Sequence, residues 1–335
     1  MKYLSYLITT AGLLVIVIAA LLLQSNADLP EPHETAPAST TNLPERKVPT
    51  ETVSVPFADE MVFCGEKISL DRYDMHERFD RELNSFTYFH STTMLYIKRA
   101  NRYFPIIEPI LQQNGIPDDF KYLATIESNL DIRAYSPAKA AGLWQFLAEV
   151  GRKYGLEVTD QVDERYHIEK ATQAACNYLK DAYARYGDWA TVAVSYNAGM
   201  GRVNSQLDNQ QVNSAFDLLL VEESSRYLFR ILAIKAIFSN PRNYGFVLKP
   251  ENLYIPIRTK KTEVASDIPD LATFAKKHGI NYAVLKDFNV WLRDSKLKVT
   301  PGKKYKIDIP EKDDLYYSTN HAKVHDGNWV GEEIL

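Results

Sequence analysis

Cysteine is nearly absent from this sequence, which holds two, Cys64 and Cys176, among 335 residues. Neither has the neighbouring residues that a zinc site or a catalytic thiol requires, so the sequence offers neither kind of site. In an exported protein the two thiols could form one disulfide, or both could stay free and buried. Spacing along the chain does not fix the distance between them, so both alternatives remain open.

An excess of basic charge is also missing. The sequence has 39 Lys and Arg against 43 Asp and Glu, a net charge of −4, which gives no reason to expect nucleic acid as a partner. The pairs Lys260-Lys261 and Lys303-Lys304 are too short to change that expectation. With 45% hydrophobic residues the composition is that of an ordinary globular protein with room for two domains. No metal ion or organic cofactor is expected.

Charge is missing altogether from Tyr3 to Leu23, a stretch long enough to cross a bilayer as a helix. Lys2 favours the cytoplasmic side for its beginning. Residues 1–26 are therefore predicted to be a membrane anchor, and the alternative is a cleaved signal peptide that ends at Ser25-Asn26-Ala27. Either segment would export the rest of the chain. The lack of a nearby cysteine excludes a lipid-modified anchor.

Residues 27–56 contain six prolines separated mostly by small, polar and acidic residues. Such a composition cannot bury enough apolar surface to build a core. We therefore predict a disordered, extended tether that would hold the folded part of the chain away from the membrane.

Helical periodicity dominates residues 57–247, which are predicted to form an all-α domain because no strand pattern interrupts them. Glycine, aspartate and Asn-Pro signals mark the ends of several helices. The predicted helices are one that carries Met75, Phe79 and Leu83, one from about Thr92 to Phe104, Ile106–Gln113, one from Pro117 through Glu127, Leu143–Tyr154, Ile168–Tyr186, Trp189–Ala198 and Glu222–Ser239.

The period changes after residue 250. Leu253–Val264 reads as extended, Asp270–His278 and Tyr282–Phe288 as short helices, and Lys304–Pro310 as an alternating strand. Residues 251–310 are therefore predicted to form a small α+β module in the order β-α-α-β. A polar C-terminal tail, 311–335, follows it.

Glu127 is the residue that most strongly suggests a function. It lies in the apolar stripe that Phe120, Leu123 and Leu130 form, so its carboxyl group is expected to face the core. A buried carboxylate is costly unless it is paired or protonated, and desolvation should raise its pKa toward neutrality. The structural alternative is an ion pair with Arg133.

Most glycosidases use two carboxylates, one that protonates the departing oxygen and one that stabilises the sugar cation. Glu127 is the one acid that the pattern positions well. Asp131 leaves the apolar stripe, and the sequence does not say whether Asp163 or Glu164 approaches in space.

Four short motifs follow one another in order: Glu127-Ser128, Ser136-Pro137, Gly142-Leu143-Trp144-Gln145 and Tyr196-Asn197-Ala198-Gly199. On these motifs the chain resembles the lytic transglycosylases of the goose-lysozyme-like class, over about residues 63–310. The resemblance implies a mainly α, lysozyme-like catalytic domain. It also explains the missing second acid, because these enzymes use a single carboxyl group and the N-acetyl group of the substrate.

The resemblance assigns a role to each matching residue. Glu127 would be the general acid and base, and Gln145 would bind the acetamido region of the sugar. The remaining residues of the implied substrate site are Ser128, Ser136, Tyr196, Asn197, Glu223 and Tyr227. As alternatives, Ser136 and Asn197 could cap turns and Tyr227 could be a core residue. Two positions depart from the family pattern, Lys139 and Ser195, and neither removes a chemical group.

The module 251–310 resembles a LysM domain, which binds peptidoglycan or chitin. The resemblance rests on Phe274–Gly279, Leu285, Asn289 and Pro301-Gly302-Lys303. Trp291-Leu292-Arg293 and the insertion up to Pro301 depart from a compact LysM domain. The module could therefore bind glycan or merely pack on the enzyme.

The activity that the resemblance implies is cleavage of the β-1,4 bond between N-acetylmuramic acid and N-acetylglucosamine to give 1,6-anhydro ends. Its substrate partner would be the peptidoglycan glycan strand, and its location the cell envelope on the periplasmic face. Two alternatives remain open, a hydrolytic muramidase on the same fold and a non-catalytic peptidoglycan-binding scaffold. Protein partners and peptide preference cannot be read from the sequence.

Overall fold

The computed structural model describes residues 52–317 and 323–331. The predicted anchor, 1–26, and nearly all of the predicted tether, 27–56, lie outside these residues. Within the described ranges no helix is both long enough and apolar enough to cross a membrane. The described residues from Val53 onward belong to one compact unit, which contains both the helical domain and the C-terminal module.

Helices make up most of the first part of this unit, as predicted, and a short antiparallel hairpin precedes them. The hairpin pairs β1, Glu60–Phe63, with β2, Glu66–Ser69. The helices are α1 Tyr73–Tyr88, α2 His90–Gln113, α3 Phe120–Ser128, α4 Ala148–Lys153, α5 Ile168–Tyr186, α6 Trp189–Ala198, α7 Met200–Gln210 and α8 Glu222–Ser239.

The helix α8 lies at the centre of the domain. It packs against α1, α3 and α6, so its apolar residues are buried on several faces at once. Leu228, Ile231 and Ile234 are almost completely inaccessible. Burial of such side chains stabilises a fold by roughly 1.5–3 kcal/mol each, which makes α8 the main contributor to this core.

The strongest local signals gave correct helix bounds. Ile168–Tyr186, Trp189–Ala198 and Glu222–Ser239 are helical over the predicted residues. At the start of α6 the Asp188 side chain accepts a hydrogen bond from the Thr191 amide at 2.7 Å, so the predicted cap is present. These elements confirm the mainly α fold class.

Two predicted helices are one. The chain is helical without a break from His90 to Gln113, although Pro105 and Pro109 lie inside it. A proline within a helix costs roughly 3 kcal/mol. Phe104, Ile107 and Leu111 are fully buried on the same helix, and their burial offsets a cost of this size.

The predicted helix Leu143–Tyr154 is wrong over its first part. Only Ala148–Lys153 is helical, and residues 142–145 form tight turns instead. Gln145 has a φ of +46°, and the Ala141 amide donates to the Phe146 carbonyl at 3.0 Å, which closes the loop on itself. The hairpin β1–β2 and the helix α7 had no clear signal, so the expectation that no strand occurs between 57 and 245 is also wrong.

The C-terminal module has the predicted order β-α-α-β. Its elements are β3 Thr259–Val264, α9 Leu271–Lys277, α10 Tyr282–Phe288 and β4 Tyr305–Pro310. The two strands are antiparallel, with Thr259 opposite Pro310 and Val264 opposite Tyr305. Asp270 and Asn281 cap the two helices through their side chains.

Both cysteines are free thiols. Cys64 lies in the turn of the first hairpin with a φ of +54°, and Cys176 is buried within α5. The alternative of a disulfide is therefore wrong in this structure. Burial raises the pKa of the Cys176 thiol to about 11, so it stays protonated at neutral pH.

Candidate active site

Glu127 lies near the C-terminal end of α3, a helix that is mostly buried. Seven of the nine residues of α3 are buried, and Glu127 is one of the two that keep some exposure. The helix ends directly after it, because Asn129 adopts a left-handed conformation with a φ of +56°. The carboxyl group of Glu127 is therefore placed at the C-terminal end of an otherwise buried helix.

Tyr227 is the hydrogen-bond partner of this carboxyl group. The two residues are 100 positions apart in sequence, and the packing of α8 against α3 brings them together. The Tyr227 hydroxyl donates a short hydrogen bond to Glu127 Oε1, while its ring is buried. Tyr227 is thus a core residue and a partner of the acid at the same time.

Burial raises the pKa of Glu127 to about 7. Three neighbouring groups also act on this pKa: the hydrogen bond from Tyr227 and the charge of Arg230 lower it, and the charge of Glu223 raises it. Desolvation outweighs the two lowering effects, which confirms the predicted direction. A carboxyl group with a pKa near 7 can both donate and accept a proton at neutral pH.

Arg133 does not neutralise Glu127. It pairs with Asp287 of the C-terminal module, so the structural alternative of an ion pair between Glu127 and Arg133 is wrong. The other candidate acids are also occupied. Asp131 lies 3.6 Å from Arg99, and the buried Asp163 and Glu164 pair with Arg165 and Lys170.

Tyr196 is a second tyrosine near the acid. Its hydroxyl donates to the Trp144 carbonyl at 2.7 Å, and burial together with the nearby Glu127 raises its pKa well above its usual value. Its ring lies 6.1 Å from that of Phe146 and 5.0 Å from that of Tyr178. The phenol is therefore a fixed, neutral group that joins α6 to the segment around Trp144.

Ser136 and Gln145 lie on one compact loop, residues 134–146, which we call the 134–146 loop. Ser136 Oγ accepts from the Ala140 amide at 3.1 Å, so it does stabilise a turn. Gln145 Nε2 donates to the Gly142 carbonyl at 2.9 Å and to the Ala134 carbonyl at 3.3 Å. Among the described residues its Oε1 has no hydrogen-bond partner and can accept one from a ligand.

Asn197 joins α6 to the first turn of α8. Its Nδ2 donates to Glu223 Oε1 at 3.3 Å, and its Oδ1 accepts from Ser224 Oγ at 2.7 Å. The structure thus brings Glu223 and Asn197 into contact. The hydroxyl of Ser128 is turned away, since it is buried and donates to the Ala124 carbonyl of its own helix at 3.0 Å.

Arg230 is a residue near the acid that sequence reasoning missed. It follows Tyr227 by three positions on α8, so both side chains can face the same neighbour. Its charge acts on the Glu127 carboxyl group. The spacing of an arginine three residues after a motif tyrosine was the signal that could have found it.

The described residues contain no candidate metal site, and the cavity beside the C-terminal module is lined by residues other than those of the predicted site. Across 52–317 and 323–331, no group of three or more His, Cys, Asp or Glu could hold a metal ion. A cavity of about 370 Å³ lies between the helical domain and the module, where Tyr166, His167 and Trp291 line it. None of the predicted site residues lines this cavity.

Two models of protein families match parts of this chain. Residues 104–218 match the transglycosylase SLT domain, and residues 260–313 match the soluble lytic transglycosylase C-terminal LysM-like domain. The first match contains Glu127, Ser128, Ser136, Gln145, Tyr196 and Asn197. Glu223 and Tyr227 lie beyond its end.

Among curated proteins, the chain is similar to membrane-bound lytic murein transglycosylase D of Escherichia coli K12, with 28% identity over 269 residues. That similarity covers 78% of this chain and 58% of the relative, so the chain matches little more than half of the relative's length. It is also 27% identical over 199 residues to peptidoglycan transglycosylase gp16 of Escherichia phage T7, covering 56% of this chain and 15% of that protein.

Among solved structures, the 70 kDa soluble lytic transglycosylase of Escherichia coli aligns with a TM-score of 0.37 and 22% identity. The alignment covers 41% of this chain and 24% of that chain. The lytic transglycosylase Slt of Pseudomonas aeruginosa aligns with a TM-score of 0.37 and 19% identity, over 51% of this chain and 29% of that one.

Proposed function

Because the chain joins a transglycosylase SLT domain to a C-terminal LysM-like domain, and is homologous to lytic murein transglycosylase D, we propose that it is a peptidoglycan lytic transglycosylase. It cleaves the β-1,4 bond between N-acetylmuramic acid and N-acetylglucosamine without water. The product carries a 1,6-anhydro muramic acid end. Such cleavage serves remodelling or turnover of the cell wall.

The state of Glu127 is the observation that carries this proposal. The carboxyl group is desolvated, has a pKa of about 7 and accepts a hydrogen bond from a neutral phenol. Asp131, Asp163 and Glu164 are paired with arginine or lysine, and Glu223, whose charge acts on Glu127, accepts a hydrogen bond from Asn197. A single acid that is half protonated at neutral pH suits a reaction in which one group first gives and then takes a proton.

The reaction has two proton transfers. Glu127 first donates its proton to the glycosidic oxygen, the bond from that oxygen to C1 of the muramic sugar breaks, and N-acetylglucosamine leaves with the proton. The N-acetyl group of the muramic sugar assists at C1. The C6 hydroxyl then bonds to C1, and its proton passes to the Glu127 carboxylate. The acid is restored and no water is consumed.

Neighbouring residues bind and orient the reacting sugar in this proposal. Gln145 offers its free amide oxygen to the acetamido N–H, and Ser136 and Asn197 line the cleft. Tyr196 supports the loop that carries Gln145, and Tyr227 orients the carboxyl group of Glu127. Glu223 acts through Asn197. Ser128 also belongs to the proposed site, although its hydroxyl is engaged within α3.

We also propose a location in the cell envelope, on the periplasmic face of a membrane. Support comes from the uncharged stretch Tyr3–Leu23. An anchor predicts that the full chain stays with the membrane pellet after an alkaline wash. A cleaved signal peptide predicts release and a new N-terminus near Ala27.

The experiment that tests the activity is mass spectrometry of muropeptides released from purified peptidoglycan by the full-length chain in mild detergent. Products that end in 1,6-anhydro muramic acid, lost with Glu127→Gln, support the proposal. Products one water heavier with a reducing end would make the protein a hydrolytic muramidase. Co-sedimentation with peptidoglycan without release would make it a binding scaffold.

A further inference from the structure

The C-terminal module is docked on the helical domain through the backbone. The module docks on residues 157–167 of the helical domain, which we call the 157–167 segment. The Asp163 amide donates to the Trp291 carbonyl at 2.8 Å, and the Arg293 amide donates to the Gln161 carbonyl at 2.8 Å. Val162 and Leu292 pair as in a β-bridge. This is the pattern by which strands recognise one another, not a loose contact between side chains.

The hydrophobic core of the module includes residues of the helical domain. Val162 and Tyr166 of the 157–167 segment belong to the same buried cluster as Leu292 and Ile307 of the module. Ala141, the centre of the 134–146 loop, belongs to it too and is fully buried. The loop that carries Ser136 and Gln145 therefore contributes to the same buried cluster as the module.

Arg165 connects the 157–167 segment to the same loop. Its guanidinium group is buried and makes a two-bond contact with Asp163, from Nε at 2.9 Å and from Nη2 at 2.7 Å. Its Nη1 donates to the Lys139 carbonyl at 2.8 Å and the Phe146 carbonyl at 3.0 Å. The Arg165 side chain thus binds two carbonyl groups of the 134–146 loop, and its contact with Asp163 holds the guanidinium group in place.

Gly142 closes the gap between the two segments. It has a φ of +77°, and a Cβ atom added to it would lie 1.9 Å from the carbonyl oxygen of Arg165. The backbone of the 134–146 loop therefore rests on the backbone of the 157–167 segment with no room for a side chain. A shift of one segment must move the other.

The far side of the loop reaches the acid. Trp144 accepts the hydrogen bond from Tyr196, and Phe146 packs on the ring of Tyr196. Tyr196 in turn lies close enough to Glu127 for the two groups to influence each other electrostatically. Contacts thus connect the module through the 157–167 segment and the 134–146 loop to Tyr196, whose phenol influences Glu127 electrostatically.

We propose that Arg165 is a positioning residue of the active site, because it holds the 134–146 loop in place. We further propose that the LysM-like module supports this arrangement by packing against the 157–167 segment and the loop. The module then acts in catalysis through its docking face, independently of any glycan that it binds. The catalytic part of this inference rests on the proposed function. The structural part, that the module orders the loop, does not.

Hydrogen exchange with mass spectrometry tests the structural part in the full chain. In Arg165→Ala, and in Leu292→Ala on the module side, amides of the 134–146 loop should exchange at least about tenfold faster than in the wild type. Arg258→Ala is the control, because it removes another two-bond contact with a buried aspartate, Asp314, and the side-chain hydrogen bonds of Arg258 go to that aspartate instead of the 134–146 loop. Equal loop exchange in all three variants would overturn the inference, even if the protein proved to have no activity.

Turnover of peptidoglycan tests the catalytic part. Misplacing the loop should lower kcat on the order of 100-fold in Arg165→Ala, with a much smaller change in KM. Arg165→Lys keeps the charge beside Asp163 but cannot also reach both carbonyl oxygens, so it should recover the melting temperature more than kcat. Recovery of both to the same degree would mean that Arg165 only stabilises the fold.

A double-mutant cycle connects the two sides of the contact. If the module acts through Arg165, the losses of kcat in Arg165→Ala and Leu292→Ala should not add in the double variant. Additive losses would mean that the module does not act by this route.

Discussion

Two glutamates, Glu82 and Glu127, contact the same helix, α8, but bind different kinds of partner there. Glu82 on α1 is almost fully buried and receives Arg226 of α8 at 2.6 Å, with Arg81 at 3.1 Å. Glu127 on α3 receives Tyr227, the next residue of α8. Arginine forms ion pairs with the first carboxylate, whereas the second accepts a hydrogen bond from a phenol, which carries no charge. The comparison separates a structural acid from one that is ready to exchange a proton.

The largest expected difference is in activity. Glu127→Gln keeps the shape of the side chain but removes the proton, so kcat should fall on the order of a thousandfold or more. Glu82→Gln should leave the activity of the folded protein within about threefold of the wild type, because the Glu82 side chain is buried and paired with Arg226 and Arg81. Release of anhydro muropeptides, normalised to the folded fraction, measures both. Similar losses of kcat in Glu127→Gln and Glu82→Gln would contradict the different roles assigned to the two glutamates.

Stability should show the reverse order. Glu82→Gln leaves Arg226 without its carboxylate partner, and the free energy of unfolding should fall by roughly 2–3 kcal/mol. The estimate is below that for a fully buried pair, because the two arginine side chains keep 35% and 44% of their exposure. Denaturant unfolding followed by circular dichroism measures it. A change below about 0.5 kcal/mol would contradict a structural role for Glu82.

The same substitution at Glu127 should stabilise the protein. The pKa of about 7 in the folded state exceeds the unfolded value, so the folded protein binds more protons between pH 4.5 and 7 and loses stability as pH rises through that window. Glu127→Gln removes this cost and should add roughly 3 kcal/mol at pH 8, with little gain near pH 4. Unfolding at the two pH values measures the gain. An equal effect at both would contradict the raised pKa.

The smallest expected effect concerns the phenol. Tyr227→Phe removes a hydrogen bond that lowers the pKa of Glu127, so that pKa should rise further and the loss of activity at alkaline pH should begin at a higher pH. At neutral pH kcat should fall by roughly tenfold because the carboxyl group is less well oriented. A pH–rate profile of the variant beside that of the wild type measures both. If the alkaline limb of the Tyr227→Phe profile moved toward lower pH, the hydrogen bond from Tyr227 would not lower the pKa of Glu127.

Local sequence signals were sufficient for the long helices and for Glu127. Ile168–Tyr186 and Trp189–Ala198 have continuous apolar stripes and clear end signals at Gly187 and Asp188, so their bounds follow from the pattern. The position of Glu127 within an apolar stripe indicated a desolvated acid, and its pKa agrees. In these places the information lies within one or two turns of the residue concerned.

The remainder depends on contacts between distant parts of the chain. Leu143-Trp144-Gln145-Phe146 reads locally as helix, but Arg165 binds the Phe146 carbonyl across 19 residues and the chain turns instead. The pairing of Glu127 with Tyr227 spans 100 residues, and that of Asp163 with Trp291 is longer still. Periodicity cannot report such contacts, because they are set by which elements pack together.

The close approach of Gly142 to the Arg165 carbonyl has a consequence for laboratory evolution of this protein. In a library that randomises the 134–146 loop, nearly every active clone should keep glycine at 142, since any side chain meets backbone at 1.9 Å. Lys139 also has a left-handed φ, +65°, but its side chain is exposed. That position should tolerate glycine, asparagine and aspartate. Two neighbouring left-handed residues would thus give opposite sequence diversity under the same selection.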